Sequence, residues 1–83
     1  MPESKVIFIL ASIHQVLKAE KVLKKAGIAF DLIPVPKEVN PDCGMTIEMA
    51  PELNDSGRAA MEAAGLTIES VYTRRDKEFS RVT

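Results

Sequence analysis

The sequence contains a single cysteine, Cys43, which precedes Gly44 at the end of a loop punctuated by prolines. One thiol cannot close an internal disulfide and is too few for a cysteine-based metal cage. It can act as a nucleophile or carry a transferable atom if it is exposed and ionised. Gly44 lacks a side chain and would let a reacting group approach the sulfur. The candidate chemistry is therefore that of a free thiol in a reducing compartment, with the cytoplasm as the expected location.

A packing role is the alternative for Cys43, because unpaired cysteines are often buried as small apolar residues. Its position between a polar loop and a strand favours exposure over burial. Asp42 argues against a reactive thiol, since an adjacent carboxylate disfavours the thiolate. The residues alone leave both interpretations open.

The first half of the chain predicts a strand followed by a helix. Residues 6–11 form the apolar run "VIFILA", which is typical of a central strand covered on both faces. Ser12 follows as a candidate helix N-cap, and Gln15, three positions later, would complete a capping box. Apolar residues then recur at helical spacing, which predicts a helix over residues 13–26 that ends at Gly27.

The remaining chain adds three strand patterns and one helix. The strands cover residues 28–35, 45–49 and 66–72, and the helix lies between Pro51 and Gly65. The order β-α-β-β-α-β predicts an α+β fold of the ferredoxin-like, split β-α-β type. We expect an antiparallel four-stranded sheet with the first and third strands in the middle and both helices on one face.

The chain is short enough for one small domain, which we place at residues 1–73. Residues 74–83 are mostly charged and are expected to form a flexible C-terminal tail. Within the domain, "KKAGIAFDLI" and "EAAGLTIESV" form a weak internal repeat centred on Gly27 and Gly65.

The predicted topology brings the thiol to the start of the first helix. The third strand lies antiparallel to the first, so Cys43 should lie near Ser12 and His14. A helix N-terminus carries unpaired N–H groups and about half a positive charge, which favours a thiolate. A protonated His14 imidazole would act in the same direction. The alternative for His14 is an exposed first-turn residue with no effect on the thiol.

The composition argues against several classes of protein. Lys and Arg number 11 against 12 Asp and Glu, so no basic surplus attracts nucleic acid or an anionic membrane. The predicted third strand lacks the aromatic and basic residues that RNA-binding sheets use. The run "VIFILA" is too short to span a membrane or to act as a signal peptide. One cysteine and one histidine are too few for a metal site unless two chains share one, and no cofactor is expected.

Several motifs together resemble the small bacterial family of selenium/sulfur carrier-like proteins. The resemblance runs from the first strand to about Tyr72. The matching residues are Ser12 and His14 for the family's Ser-x-His, Ala19, Glu20 and Lys21 for its Ala-Glu-Lys, Pro34, Val35 and Pro36 for its loop signature, and Cys43 and Gly44 for its Cys-Gly pair. Asn40, Pro41 and Asp42 depart from the Ser/Thr-rich segment expected before the cysteine, and Glu48 stands where a basic residue is expected.

The resemblance implies a carrier that holds sulfur or selenium on Cys43 as a persulfide or perselenide. Such a carrier takes the atom from a cysteine-desulfurase-like donor and passes it to an acceptor protein, so it is not an enzyme on its own. Gly44 would give access to the sulfur, Ser12 would start the helix beside it, and His14 would tune its charge. Asp42 and Glu48 would make an anionic sulfur less favourable.

A different hypothesis is a non-catalytic module that binds a small ligand or another protein, with Cys43 as a structural residue. Ile7 and Ile9 should face away from the helices, which can cover only one side of the sheet. A homodimer through this open face would bury them and is compatible with either hypothesis.

Overall fold

A computed structural model of the protein describes residues 4–35, 44–76 and 78–82. The elements in chain order are β1 (Lys5–Leu10), α1 (Ile13–Ala26), β2 (Asp31–Pro34), β3 (Met45–Met49), a short 3-10 turn (Pro51–Leu53), α2 (Asn54–Ala63), β4 (Ile68–Arg75) and β5 (Glu78–Arg81). The second helix therefore begins after a 3-10 turn, and the second strand is shorter than the sequence pattern predicts.

The five strands form one antiparallel sheet in the order β2-β3-β1-β4-β5. The predicted α+β class, with two helices and an antiparallel sheet, is confirmed, and β1 and β3 are interior strands. The predicted number of four strands is wrong. The fifth strand, β5, pairs with the outer side of β4 and extends the four-stranded order expected of a ferredoxin-like sheet.

The extra strand is formed by the charged C-terminal segment. Asp76 has a φ of 56°, a left-handed conformation that reverses the chain and lets Arg75 pair with Glu78. The strand is short and charged, as edge strands often are, so it lacks the alternation of apolar residues by which strands are recognised in sequence. The predicted tail, residues 74–83, contains the end of β4 and all of β5, and its predicted flexibility stays a prediction.

The two halves of the weak repeat end their helices in the same way. Gly27 and Gly65 have φ values of 73° and 82°, which L side chains rarely adopt. After each glycine, a backbone N–H returns to the helix: Ile28 donates to Leu23 O at 3.0 Å, and Leu66 donates to Met61 O at 3.1 Å. Both helices thus end in the Schellman arrangement before the chain enters the next strand.

Both helices pack against one face of the sheet and form the main core. The buried members of this helix-side core are Val6, Phe8, Leu10, Val16, Ala19, Leu23, Ile47, Met49, Met61, Leu66 and Val71. Gly57 of α2 faces β3, and a Cβ at this position would lie 2.4 Å from Met49 Sδ. The absence of a side chain lets α2 pack closely on β3.

The opposite face of the sheet carries a smaller apolar cluster. Ile7 and Ile9 pack there with Val35 and with the half-buried Ile33, Tyr72 and Phe79. Ile7 is 0% exposed and Ile9 is 3% exposed within the single chain. The expectation that another molecule must cover these two side chains is therefore wrong. A homodimer through this face stays a prediction without that support.

Candidate functional site

Four segments meet at one end of the sheet, which we call the site end. They are the start of α1 at Ile13, the end of β2 at Pro34, the start of β3 at Met45 and the start of β4 at Ile68. The registers place them together, since Pro34 pairs with Met45 and Leu10 pairs with Ile68. The antiparallel pairing of β1 and β3 is confirmed, and this is the pairing from which Cys43 is predicted to lie near the start of α1.

Ser12 caps α1, as the sequence predicts. Its Oγ accepts a hydrogen bond from the backbone N–H of Gln15 at 3.3 Å, and its carbonyl accepts from the N–H of Val16 at 3.1 Å. The N–H groups of Ile13 and His14, at the first two helical positions, have no acceptor within the helix. The first turn contains no acidic residue. No residue of the first turn therefore neutralises the positive end of the helix, a charge that favours anions.

The second half of the predicted capping box is not formed. The side-chain Oε1 of Gln15 instead accepts a hydrogen bond from the backbone N–H of Thr67 at 2.8 Å. This contact joins the first turn of α1 to the residue before β4, and so fixes the helix start against the sheet. No local pattern signals it, because the two residues are 52 positions apart.

Gly44 directly follows Cys43 in the sequence and precedes β3. Its carbonyl accepts a hydrogen bond from the N–H of Val35 at 3.0 Å, which extends the β2–β3 ladder by one pair. Gly44 is exposed, and a Cβ built there would meet no atom of the described residues within 4 Å, its two chain neighbours left aside.

Cys43, together with Asp42 and the loop prolines Pro36 and Pro41, lies outside the described residues. The structure thus places Ser12 and Gly44 at the site end, but not the thiol itself. His14 is exposed in the first turn of α1. Its predicted action on the thiol stays a prediction.

Glu48 does not lie at the site end. It lies four positions after Gly44, a distance of about 13 Å at the rise of an extended strand. Its side chain is 5% exposed, and its Oε2 lies 2.5 Å from Nε of Arg74. The hydrogen bond from Arg74 to Glu48 raises the pKa of the guanidinium above its usual value. The Glu48 charge is thus paired and remote from Gly44, so the expectation that it disfavours an anionic sulfur loses its geometric basis.

Thr46 is a buried polar residue whose role was not apparent in the sequence. The alternation of β3 predicts a half-buried strand, yet Thr46 is 1% exposed and Glu48 is 4% exposed. The Thr46 hydroxyl donates a hydrogen bond to the carbonyl of Phe8 on β1. This bond joins β3 to β1 near the site end and satisfies a hydroxyl that would otherwise be costly to bury.

A carboxylate is also present at the site end, that of the exposed Glu69 in β4. Solvent screens such a charge strongly.

Within residues 4–35, 44–76 and 78–82, no group of three or more His, Cys, Asp or Glu side chains is placed to hold a metal ion. In the same part of the chain, no helix is both long and apolar enough to cross a membrane.

Comparison with known proteins identifies the family of the chain. A curated protein of Aquifex aeolicus (strain VF5), named "Putative sulfur carrier protein", is 33% identical over 76 residues, covering 87% of this chain and 38% of that protein. The chain therefore spans well under half of this relative's length. No solved structure matches the chain. The model of the family described as "Putative Se/S carrier protein-like" matches residues 5–73. Since this range is most of the chain, the protein belongs to the Se/S carrier protein-like family.

Proposed function

We propose that the protein carries sulfur or selenium on Cys43 as a persulfide or perselenide and passes the atom between proteins. Family membership supports the carrier class. The observation that carries the chemical proposal is the N-terminus of α1, which is capped by Ser12, has no acidic residue in its first turn and lies at the end of the sheet where Gly44 begins the return into β3.

The transfer is an exchange between two sulfur centres. The Cys43 thiolate attacks the outer sulfur of a cysteine persulfide on the donor, and a new S–S bond forms as the donor's S–S bond breaks. The donor cysteine leaves as a thiolate and takes a proton from solvent, so no external oxidant or reductant is needed. Delivery to an acceptor repeats the same step in reverse. The protein holds the atom and does not catalyse its release from a small molecule.

The site residues have separate roles in this proposal. Ser12 holds the first turn of α1 in place, and the N–H groups of Ile13 and His14 stabilise the anionic sulfur. A protonated His14 side chain adds positive charge at the same end. Gly44 has no side chain that could obstruct an approach to Cys43. The donor is a cysteine-desulfurase-like protein, the acceptor is a second protein, and the cytoplasm is the expected location.

The pH dependence of Cys43 alkylation by iodoacetamide in the native protein tests the activation of the thiol. The proposal predicts a pKa below the usual value of about 8.5, because a helix N-terminus favours the thiolate. The alkylation rate should then level off at lower pH than in a denatured control. A thiol with an ordinary pKa, or one that reacts only after unfolding, would support a structural cysteine in a non-catalytic interaction module.

A further inference from the structure

The outward face of α1 carries an apolar patch at the site end. Ile13 is 41% exposed and Leu17 is 49% exposed, and these are two of the three large hydrophobic side chains that are exposed in the described part of the chain. Side chains four positions apart are neighbours on a helix, so the two form one patch over the first two turns. Because Ile13 is the first residue of α1, this patch begins where the proposed carrier site begins.

Lysines border this patch and continue along the helix. Lys18, Lys21 and Lys25 are all exposed. Lys21 follows Leu17 by four positions and Lys25 follows Lys21 by four, so the row continues to the last turn, and Lys18 lies one turn before Lys21. We call this surface, formed by Ile13, Leu17, Lys18, Lys21 and Lys25, the α1 strip.

No acidic residue of α1 balances the three lysines of the strip. Glu20 is the only acidic residue of the helix, and its Oε2 lies 3.4 Å from Nζ of Lys24. Glu20 and Lys24 thus form a pair without net charge, and both line the flank of α1 toward β2, outside the strip. The strip is therefore a local concentration of positive charge on a chain whose net charge is −1.

The other helix shows neither feature, although both helices cover the same face of the sheet. α2, which the structure describes in full, contains Asp55 and Glu62 against the single basic residue Arg58. Arg58 is paired with Glu62, the nearest atoms being 3.9 Å apart. No large hydrophobic side chain of α2 is exposed. The combination of exposed apolar and unbalanced basic side chains is therefore specific to the helix that starts at the site end.

We propose that the α1 strip is the docking surface for the protein that exchanges sulfur or selenium with Cys43, and that this partner presents an acidic surface around an apolar centre. Apolar contact gives a transient interface its affinity, and opposite charges speed the encounter of the two proteins. Ile13 and Leu17 supply the apolar contact beside the site, and the three lysines supply the charge. The inference rests on the proposed function, which it extends from the site to the partner.

The test uses two synthetic peptides with the same central pair of leucines, one flanked by glutamates and the other by lysines. In a titration of the native protein, the acidic peptide should shift the backbone amide resonances of Leu17, Lys21 and Lys25 in a saturable way. The dissociation constant should be on the order of 1 mM for such a small contact. The basic peptide should bind at least about five-fold more weakly. This measurement involves no thiol chemistry, so its failure is separate from a failure of the carrier chemistry.

A second measurement connects the strip to Cys43. Each peptide is also prepared with one cysteine as an activated aryl disulfide, so that the Cys43 thiolate forms a mixed disulfide with the peptide as the aryl thiolate leaves. The acidic peptide should react at least about five-fold faster than the basic one, whereas neutral iodoacetamide should react at the same rate in the wild type and in strip variants. A thiol inert to all three reagents would contradict the proposed function, and with it the docking of an exchange partner.

Charge variants show whether the strip is responsible. Lys21→Glu should weaken binding of the acidic peptide about five-fold or more and slow its disulfide reaction in parallel. Arg75→Glu, the same charge change at an exposed position of β4, should alter each by less than about two-fold. Leu17→Ser should weaken binding without loss of stability, because the leucine side chain is already exposed.

Four results would overturn the docking proposal. They are an acidic peptide that does not saturate, equal binding of the two peptides, equal effects of the two charge variants, and occupation of the strip by something else. The last case is tested with phosphatidylserine vesicles and by sedimentation. Vesicle binding in the absence of peptide binding, or a dimer that Lys21→Glu dissociates, would assign the strip to a membrane or to a second copy of the chain.

Discussion

The two helices begin at opposite ends of the sheet, and their N-termini differ in capping and in charge. At the site end, α1 begins with a Ser12 cap and has no acidic residue in its first turn. At the other end, where β3 finishes, α2 is entered through a 3-10 turn and has no side-chain cap. The start of α2 carries two carboxylates of its own, Glu52 in the 3-10 turn and Asp55 in the first turn of the helix.

This difference supports the proposal that the first half of the weak repeat carries the function. Carboxylates in the first turn neutralise the positive end of α2 from within the helix. The positive end of α1 has no such internal partner and is available to an anion brought by another segment. The far end holds the partly buried Glu48–Arg74 pair, so we expect that end to contribute stability and the site end to carry the proposed chemistry.

The largest effect is expected from breaking the ion pair away from the site end. Arg74→Met leaves the nearly buried Glu48 carboxylate without its partner. We expect a loss of about 2 to 3 kcal/mol, less than for a fully buried pair because Arg74 is 30% exposed. Urea denaturation measures this loss. The alkylation rate of Cys43 should not change in conditions where the variant is folded.

Arg58→Met is the matched control for this variant. It breaks the exposed pair with Glu62, in which the nearest atoms are 3.9 Å apart. The expected cost is no more than about 0.5 kcal/mol. Equal losses for the two variants, or a slower Cys43 reaction in Arg74→Met, would contradict the separation of the two ends.

A smaller loss of stability, combined with a loss of reactivity, is expected at the α1 cap. Ser12→Ala removes the acceptor of the Gln15 N–H and should cost about 1 kcal/mol. The first turn would fray, so Cys43 should also react more slowly at neutral pH. Ser12→Asp separates the two effects, because it keeps a cap acceptor but adds negative charge. Its stability should stay near that of the wild type while alkylation slows; unchanged alkylation in both variants would argue against a helix effect.

The smallest effect is expected from one added charge at each helix start. His14→Glu places a carboxylate in the first turn of α1 and should slow Cys43 alkylation at neutral pH about three-fold, since it opposes the thiolate. Ser56→Glu adds a carboxylate to the first turn of α2 and should leave the rate of Cys43 alkylation unchanged. His14→Gln isolates the contribution of the imidazole. Equal slowing by both glutamate variants would indicate a general charge effect and not a local one.

The sequence predicts much of the fold because its signals are local. The Ser12 cap, the Gly27 and Gly65 helix ends and the strand over residues 45–49 follow from residue types and short periodicities. β5 was missed because a short charged edge strand has no apolar periodicity. The internal burial of Ile7 and Ile9 depends on tertiary packing that no single segment encodes.

The candidate site is predictable only in its parts. Ser12 and Gly44 could be placed at one end of the sheet from strand order alone. The bond from Thr67 to Gln15 and the pairing of Glu48 with Arg74 could not, because each joins residues far apart in sequence. Glu48 shows the consequence: its sequence position suggested interference with the thiol, whereas its ion pair and its distance along β3 remove it from the site.

The intact mass of the native protein after exposure to a persulfide donor tests the carrier proposal most directly. We expect a gain of one sulfur atom that is absent in Cys43→Ser and is lost again when a thiol acceptor is added. Retention of the original mass by the folded wild-type protein, or an equal gain in Cys43→Ser, would contradict Cys43 as the carrier residue.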